Sequence, residues 1–113
     1  PLRLAKVDVE GHELAVFKGA EGTLRHDKPY LLFECEERHL TTHSPRDVFA
    51  FLEGLGYDGY LVHERGFVPV REFDPAVHQK NDGPRYWAAE DYYNNFLFVP
   101  AGFDISALQR RVR

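Results

Sequence analysis

The sequence predicts an α/β fold with a largely parallel sheet, on three observations. Two apolar, strand-like runs, residues 2–9 and 30–35, are each followed by a helical pattern. The joints between these elements are short, which is the arrangement of βαβ units. After Gly59 the order changes to strand-like runs in quick succession, which reads as an antiparallel, hairpin-like finish.

The first run, residues 2–9, has apolar residues that do not alternate cleanly, which suits a strand covered on both faces. A helix follows with Leu14, Phe17, Ala20 and Leu24 on one face. Gly19 and Gly22 weaken it and Pro29 closes the segment. Residues 30–35 form a second, almost wholly apolar strand that runs into acid at Glu34, Glu36 and Glu37. The next helix is marked by Ser44 as N-cap, Pro45 at the first helical position and Asp47 in the first turn. Val48, Leu52 and Leu55 make its buried stripe, flanked by Phe49 and Phe51, and Gly56 supplies a left-handed cap.

Residues 60–64 and 67–73 read as strands joined by a turn at Arg65-Gly66, with Pro69 confining the second to an edge or an irregular ribbon. Residues 74–93 are polar, carry Pro75, Gly83 and Pro84, and read as a long surface loop, a length that marks either function or poor order. Residues 96–99 are a final strand. Asp104 then caps a tail helix bearing Ile105, Leu108 and Val112.

Bulk properties narrow the function classes. A chain of 113 residues fits one domain, and its 43% hydrophobic and 14% aromatic content suits a globular core. The net charge of −4, with mixed signs, argues against general affinity for nucleic acid or anionic membrane. Arg110, Arg111 and Arg113 read as a solvated helix end. With Cys35 as the single cysteine, no intrachain disulfide is possible and a reducing compartment is compatible. No apolar run approaches the ~20 residues of a membrane span. The chain lacks methionine and opens on Pro1, so it is expected to be a processed or excised piece of a longer polypeptide.

The candidate chemistry lies where strands end, because ligands of open α/β sheets sit beyond the carboxyl ends of the strands. Asp8 and Glu10, two apart on an extended segment, are expected to point the same way, which is costly for acids that are buried and unpaired. A carboxylate there suits orienting an acceptor and taking its proton; the structural alternative is that one of the two caps the following helix. Gly11 allows a tight exit from strand to helix. Glu34 ends the neighbouring strand and is expected near Asp8.

His12 and Glu13 begin an H-E-x-x-H zinc pattern, but Val16 stands at its fifth position and ends that idea. His12 is left between a pocket-facing and a surface role. His39 and His43 have metal-compatible spacing, yet Leu40-Thr41-Thr42 between them reads as loop, so no metal is expected and His39 is taken as a substrate contact. Gly54, Gly56 and Gly59 spell G-x-G-x-x-G, but they close a helix and open a strand, the reverse of a phosphate-binding turn. Tyr86, Trp87, Tyr92, Tyr93 and Phe96 read as core and loop anchors, or as rings that stack on a sugar or base.

The stretch K-V-D-V-E-G-H-E-L-A-V-F-K-G-A-E, residues 6–21, resembles the signature of the FkbM-type, S-adenosylmethionine-dependent methyltransferases. In that family the run falls mid-domain, so the resemblance implies that residues 1–113 are a single-domain fragment, the carboxyl-terminal half of a catalytic domain. It implies the second half of a Rossmann-like class I methyltransferase sheet. Residues 2–9, 30–35, 60–64 and 96–99 would be its fourth to seventh strands, the last inserted antiparallel between its predecessors.

The implied reaction is O-methylation of a small-molecule, sugar or polyketide-like acceptor in the cytoplasm. Asp8 and Glu10 would position the acceptor and remove its proton, supported by Glu34, with His12 and His39 as substrate contacts. The residues that bind S-adenosylmethionine are expected upstream of Pro1. The exposed sheet edge of such a half-domain predicts self-association. Two alternatives remain open from the residues: a non-catalytic binding or assembly module, and a different Rossmann-like transferase with a carboxylate-bound metal.

Overall fold

The computed structural model describes residues 3–64 and 66–112, except for the side chains of residues 109–112. Leu2 of the expected first strand, Arg65 of the expected turn, the Val112 side chain and the arginines at the chain end lie outside the described residues. The elements are β1 (Leu4–Val7), α1 (Glu13–Gly19), α2 (Glu21–Asp27), β2 (Tyr30–Glu34), α3 (Pro45–Gly54), β3 (Tyr57–His63), β4 (Gly66–Pro69), α4 (Pro75–His78), β5 (Asn95–Pro100) and α5 (Ile105–Val112). Single 3-10 turns occupy Glu37–His39, Val70–Glu72 and Tyr86–Ala88.

The five strands form one sheet in the order β1-β2-β5-β3-β4. β1 and β2 are parallel, with Val7 opposite Phe33. β5 runs antiparallel to both of its neighbours, pairing Phe33 with Phe96 on one side and Gly59 with Phe98 on the other. The last strand is thus inserted antiparallel between earlier ones, as the resemblance implied. The mixed α/β sheet is as expected from the sequence.

Local sequence explains most boundaries. Ser44 and Asp47 form a reciprocal capping box on α3, with Pro45 in the first turn. Gly56, at φ +94°, takes the left-handed position after its end. The expected helix from Leu14 to Leu24 is two helices, α1 and α2, meeting at Ala20 (φ −105°, ψ 15°) between the weak formers Gly19 and Gly22. The hydrogen bonds Ala20 N to Val16 O and Leu24 N to Ala20 O persist, so the junction is a kink.

Three strand expectations shift. β1 is not covered on both faces: it is an edge strand whose residues alternate exposed and half-buried, with Leu4 59% exposed. β3 starts at Tyr57, earlier than expected, because Gly59 lies in the strand under the ring of Phe98; a Cβ at Gly59 would come within 2.1 Å of it. β4 stops at Pro69, which has no N–H to extend the ladder, and the chain coils into the Val70–Glu72 turn.

The core sits between the central strands and α1–α3. Phe33 meets Phe17 edge-on at 5.0 Å and lies 5.5 Å from Phe98. Phe49 of α3 packs 4.8 Å from Phe96 and 5.7 Å from Phe73. Tyr57 anchors this core to the α2–β2 link: its hydroxyl donates to the Pro29 carbonyl at 2.7 Å, and burial pushes its pKa up to about 12.

Candidate active site

The carboxyl ends of the parallel strands carry the loops that hold the candidate residues. β1 ends at Val7, so Asp8 is the next residue, exposed and level with Glu34 in a register that pairs Val7 with Phe33. Glu34 is half-buried and its carboxylate accepts from the Asn94 side-chain amide at 3.1 Å. The chain is no longer extended at Glu10, which has φ +35°, so Asp8 and Glu10 are not alternate residues of one strand face. A left-handed turn, Glu10-Gly11, swings the second acid toward the start of α1.

Gly11 is required here twice over. Its φ of +95° suits glycine, and a Cβ would come within 2.7 Å of the His39 carbonyl oxygen. The β1–α1 turn and the loop after β2 therefore touch backbone to backbone. Gly11 N–H donates to Glu13 Oε2 at 2.9 Å, and His12 N–H to the Val9 carbonyl at 3.2 Å. Glu13 is only 1% exposed. Its carboxylate lies against the Cys35 thiol, whose pKa is driven far upward by burial first and then by Glu13, with Glu36 adding. That thiol is kept protonated and inert.

A pocket of about 450 Å³ opens between these two loops. Glu10, Gly11, His12 and Lys18 line one side, over an apolar floor of Leu14 and Ala15. His39, Thr41, Thr42 and His43 line the other. His39 Nδ1 lies 3.4 Å from Glu36 Oε2, and the same buried carboxylate accepts from Arg38 Nε at 2.9 Å. Thr42 Oγ1 and His43 Nδ1 are 3.3 Å apart.

Of the five residues singled out from sequence, Glu10, His12 and His39 line this one pocket, while Asp8 and Glu34 stand at the strand ends and do not line it. Sequence reasoning did not assign Lys18, Thr41, Thr42 and His43 to the pocket. It also missed the buried supports Glu13, Glu36 and Gln79. Glu13 had a readable signal: it lies four residues before Phe17, on the same buried face of α1. Gln79 had none, because its partners are distant in sequence; Oε1 accepts from Glu37 N–H at 2.8 Å and Nε2 donates to the Cys35 carbonyl at 2.8 Å.

The expected surface loop at residues 74–93 contains α4 and the Tyr86–Ala88 turn, tied down by Gln79 and by a Lys80–Asp91 ion pair at 3.1 Å. Among the described residues, no three His, Cys, Asp or Glu side chains converge as a metal set would. No helix among them is long and apolar enough to cross a membrane.

Fold and site together define a mixed α/β protein with a pocket at the carboxyl ends of its parallel strands, rimmed by one acidic and several basic side chains. The family model described as "Methyltransferase FkbM domain" matches residues 2–58, half of the chain. The chain belongs to that family. No curated protein and no solved structure matches it.

The family implies a methyl donor, and the glycines of the G-x-G-x-x-G stretch do not fit one. Gly54 ends α3, Gly56 bonds back to the Glu53 carbonyl at 3.0 Å, and Gly59 is committed to β3 beneath Phe98. None of them presents free backbone N–H groups at the start of a helix.

Proposed function

We propose that this chain is the acceptor-side, carboxyl-terminal part of an S-adenosylmethionine-dependent methyltransferase with a Rossmann-like class I sheet, working in the cytoplasm on an oxygen of a small-molecule, sugar or polyketide-like acceptor. The observation that carries the reading is that the family motif forms the pocket: Glu10, Gly11 and His12 all line it.

Glu10 is the group suited to hold the acceptor hydroxyl and accept its proton, since it is exposed and turned into the pocket by the Glu10-Gly11 turn. His12 and His39 flank the acceptor from opposite loops. Asp8 and Glu34 sit level at the strand ends, next to this turn, and add negative charge beside it. The donor, when bound, supplies an electrophilic methyl group. Its binding segment is assigned to a preceding strand and glycine-rich turn of a longer polypeptide. Edge strand β1, paired on one side only and with Leu4 exposed, has room for such a neighbour. Without one, that edge is a template for self-association.

The test is calorimetric titration of S-adenosylmethionine into the full-length polypeptide. Saturable binding is expected. A folded full-length protein that binds none would turn the reading toward a binding or assembly module that keeps the fold alone.

A further inference from the structure

The 3-10 turn Glu37–His39 separates two pockets. His39 faces the one described above, while Glu37 and Arg38 line a second, of about 170 Å³, with Gln79, Asn81, Tyr86 and Tyr92. We propose that this second pocket is a sugar-binding subsite, so that the acceptor is a glycan lying across the turn from one pocket to the other; the link to the acceptor rests on the methyltransferase reading.

The lining has the two parts that a pyranose ring needs. Tyr86 and Tyr92, with ring centroids 6.0 Å apart, line it and supply the aromatic surface on which the C–H groups of a sugar's apolar side would pack. Glu37, Arg38 and Asn81 offer donors and acceptors to ring hydroxyls at its edge. The side chains of Glu37 and Asn81 are exposed and make no protein hydrogen bond among the described residues.

The pocket is also held in shape before anything binds. Arg38 is fixed on one side by Glu36 at 2.9 Å and lies 4.6 Å over the ring of Trp87 on the other. Gln79 is immobilised by its bonds to Glu37, Cys35 and Tyr93. Lys80 and Asp91 close the base of the loop that carries the tyrosines. Such preorganisation lowers the entropy cost of holding a weak, hydroxyl-rich ligand.

The same features disfavour the other acceptor classes. A polyketide-like chain would meet no aliphatic wall among the six lining residues. An anion would meet Glu37, and an Arg38 already neutralised by Glu36. A neutral polyol with one apolar face is what remains.

Trp87 is the one tryptophan of the 113 residues and reports on Arg38 directly. The experiment titrates the full-length polypeptide with methyl α-D-glucopyranoside, methyl α-D-mannopyranoside, methyl α-L-rhamnopyranoside, maltose and α-1,2-mannobiose. Emission is read as the difference between the unmodified protein and Trp87→Phe, with saturation-transfer NMR as a second readout. A saturable signal is expected, stronger for a disaccharide than for its monosaccharide. Glu37→Gln and Tyr86→Ala are each expected to weaken it about tenfold, the scale of one lost charge-assisted contact for the first and of one lost aromatic stacking surface for the second, with thermal melts unchanged.

Silence by both readouts with every sugar overturns the subsite. Sugar binding without methyl transfer keeps the subsite and removes the methyltransferase reading. Methyl transfer to a sugar-free acceptor, with both readouts silent, does the reverse.

Discussion

Along β2 and β5 the sheet is filled ring against ring by Phe33, Phe96 and Phe98, with Phe17 and Phe49 pressed on from the helices. Beyond the carboxyl ends of β1 and β2 the chain instead buries Glu13, Glu36 and Gln79 and bends through positive φ at Glu10 and Gly11. The interior is made of groups that need only volume and exclusion of water. The rim is made of groups that need named partners. The first arrangement fixes the fold; the second holds an acid and several imidazoles at a pocket.

Substitutions separate the two regions. Phe98→Ala removes a fully buried ring at the sheet centre and is expected to cost about 3–5 kcal/mol in chemical denaturation. A cost under about 1 kcal/mol would mean that the interior is not the stabilising region. Gly11→Ala is next, at about 2–3 kcal/mol, because it meets both the positive φ and the His39 carbonyl. A melt that stays put would show that the two loops do not touch as described.

Glu13→Ala is expected to cost about 1–2 kcal/mol by leaving the half-buried Gly11 N–H without its acceptor, and Glu13→Gln to recover most of that. Equal melts for both variants would sink the hydrogen-bond account.

pH acts differently on the two regions as well. The raised pKa of Tyr57 means that its contribution is complete below the ordinary value of 10.0 and is lost as pH rises toward about 12. Tyr57→Phe should flatten that alkaline loss while giving up the bond to Pro29.

The smallest effect belongs to the exposed Lys80–Asp91 pair. Lys80 holds the Asp91 carboxyl below its usual 3.8, and Asp91 holds the Lys80 ammonium above its usual 10.5. Its contribution is present above the usual carboxylate pKa and lost as pH falls through the lowered one. At the alkaline side it is lost as pH rises through the raised lysine value. An NMR titration of the Asp91 carboxyl should give a lowered midpoint that returns to normal in Lys80→Ala.

Much of the fold was legible because its signals are local. Ser44, Pro45, Asp47 and Gly56 mark both ends of α3 within one stretch of chain. The apolar runs of β2 and β5 are short, rich in Phe and flanked by Pro29 and Pro100, which favours buried strands over helices. The turn at Glu10 was not legible, because a glycine at Gly11 explains a tight exit by itself and nothing local requires a positive φ one residue earlier. The next residue, Gly11, packs against His39, twenty-eight positions on, a contact that no periodicity encodes. For the same reason Glu10, His12 and His39 were identified singly, while their meeting in one pocket with Lys18, Thr41 and His43 required the folded chain.

The central claim is that Glu10 serves the acceptor and not the fold. Its most direct test is single-turnover transfer of a labelled methyl group from S-adenosylmethionine by the full-length polypeptide and its Glu10→Gln variant, with melting and donor binding measured alongside. Transfer slowed by about 10²-fold or more, the scale of a lost general base, with unchanged melting and unchanged donor binding, is the predicted result. Undiminished transfer by Glu10→Gln would contradict the account.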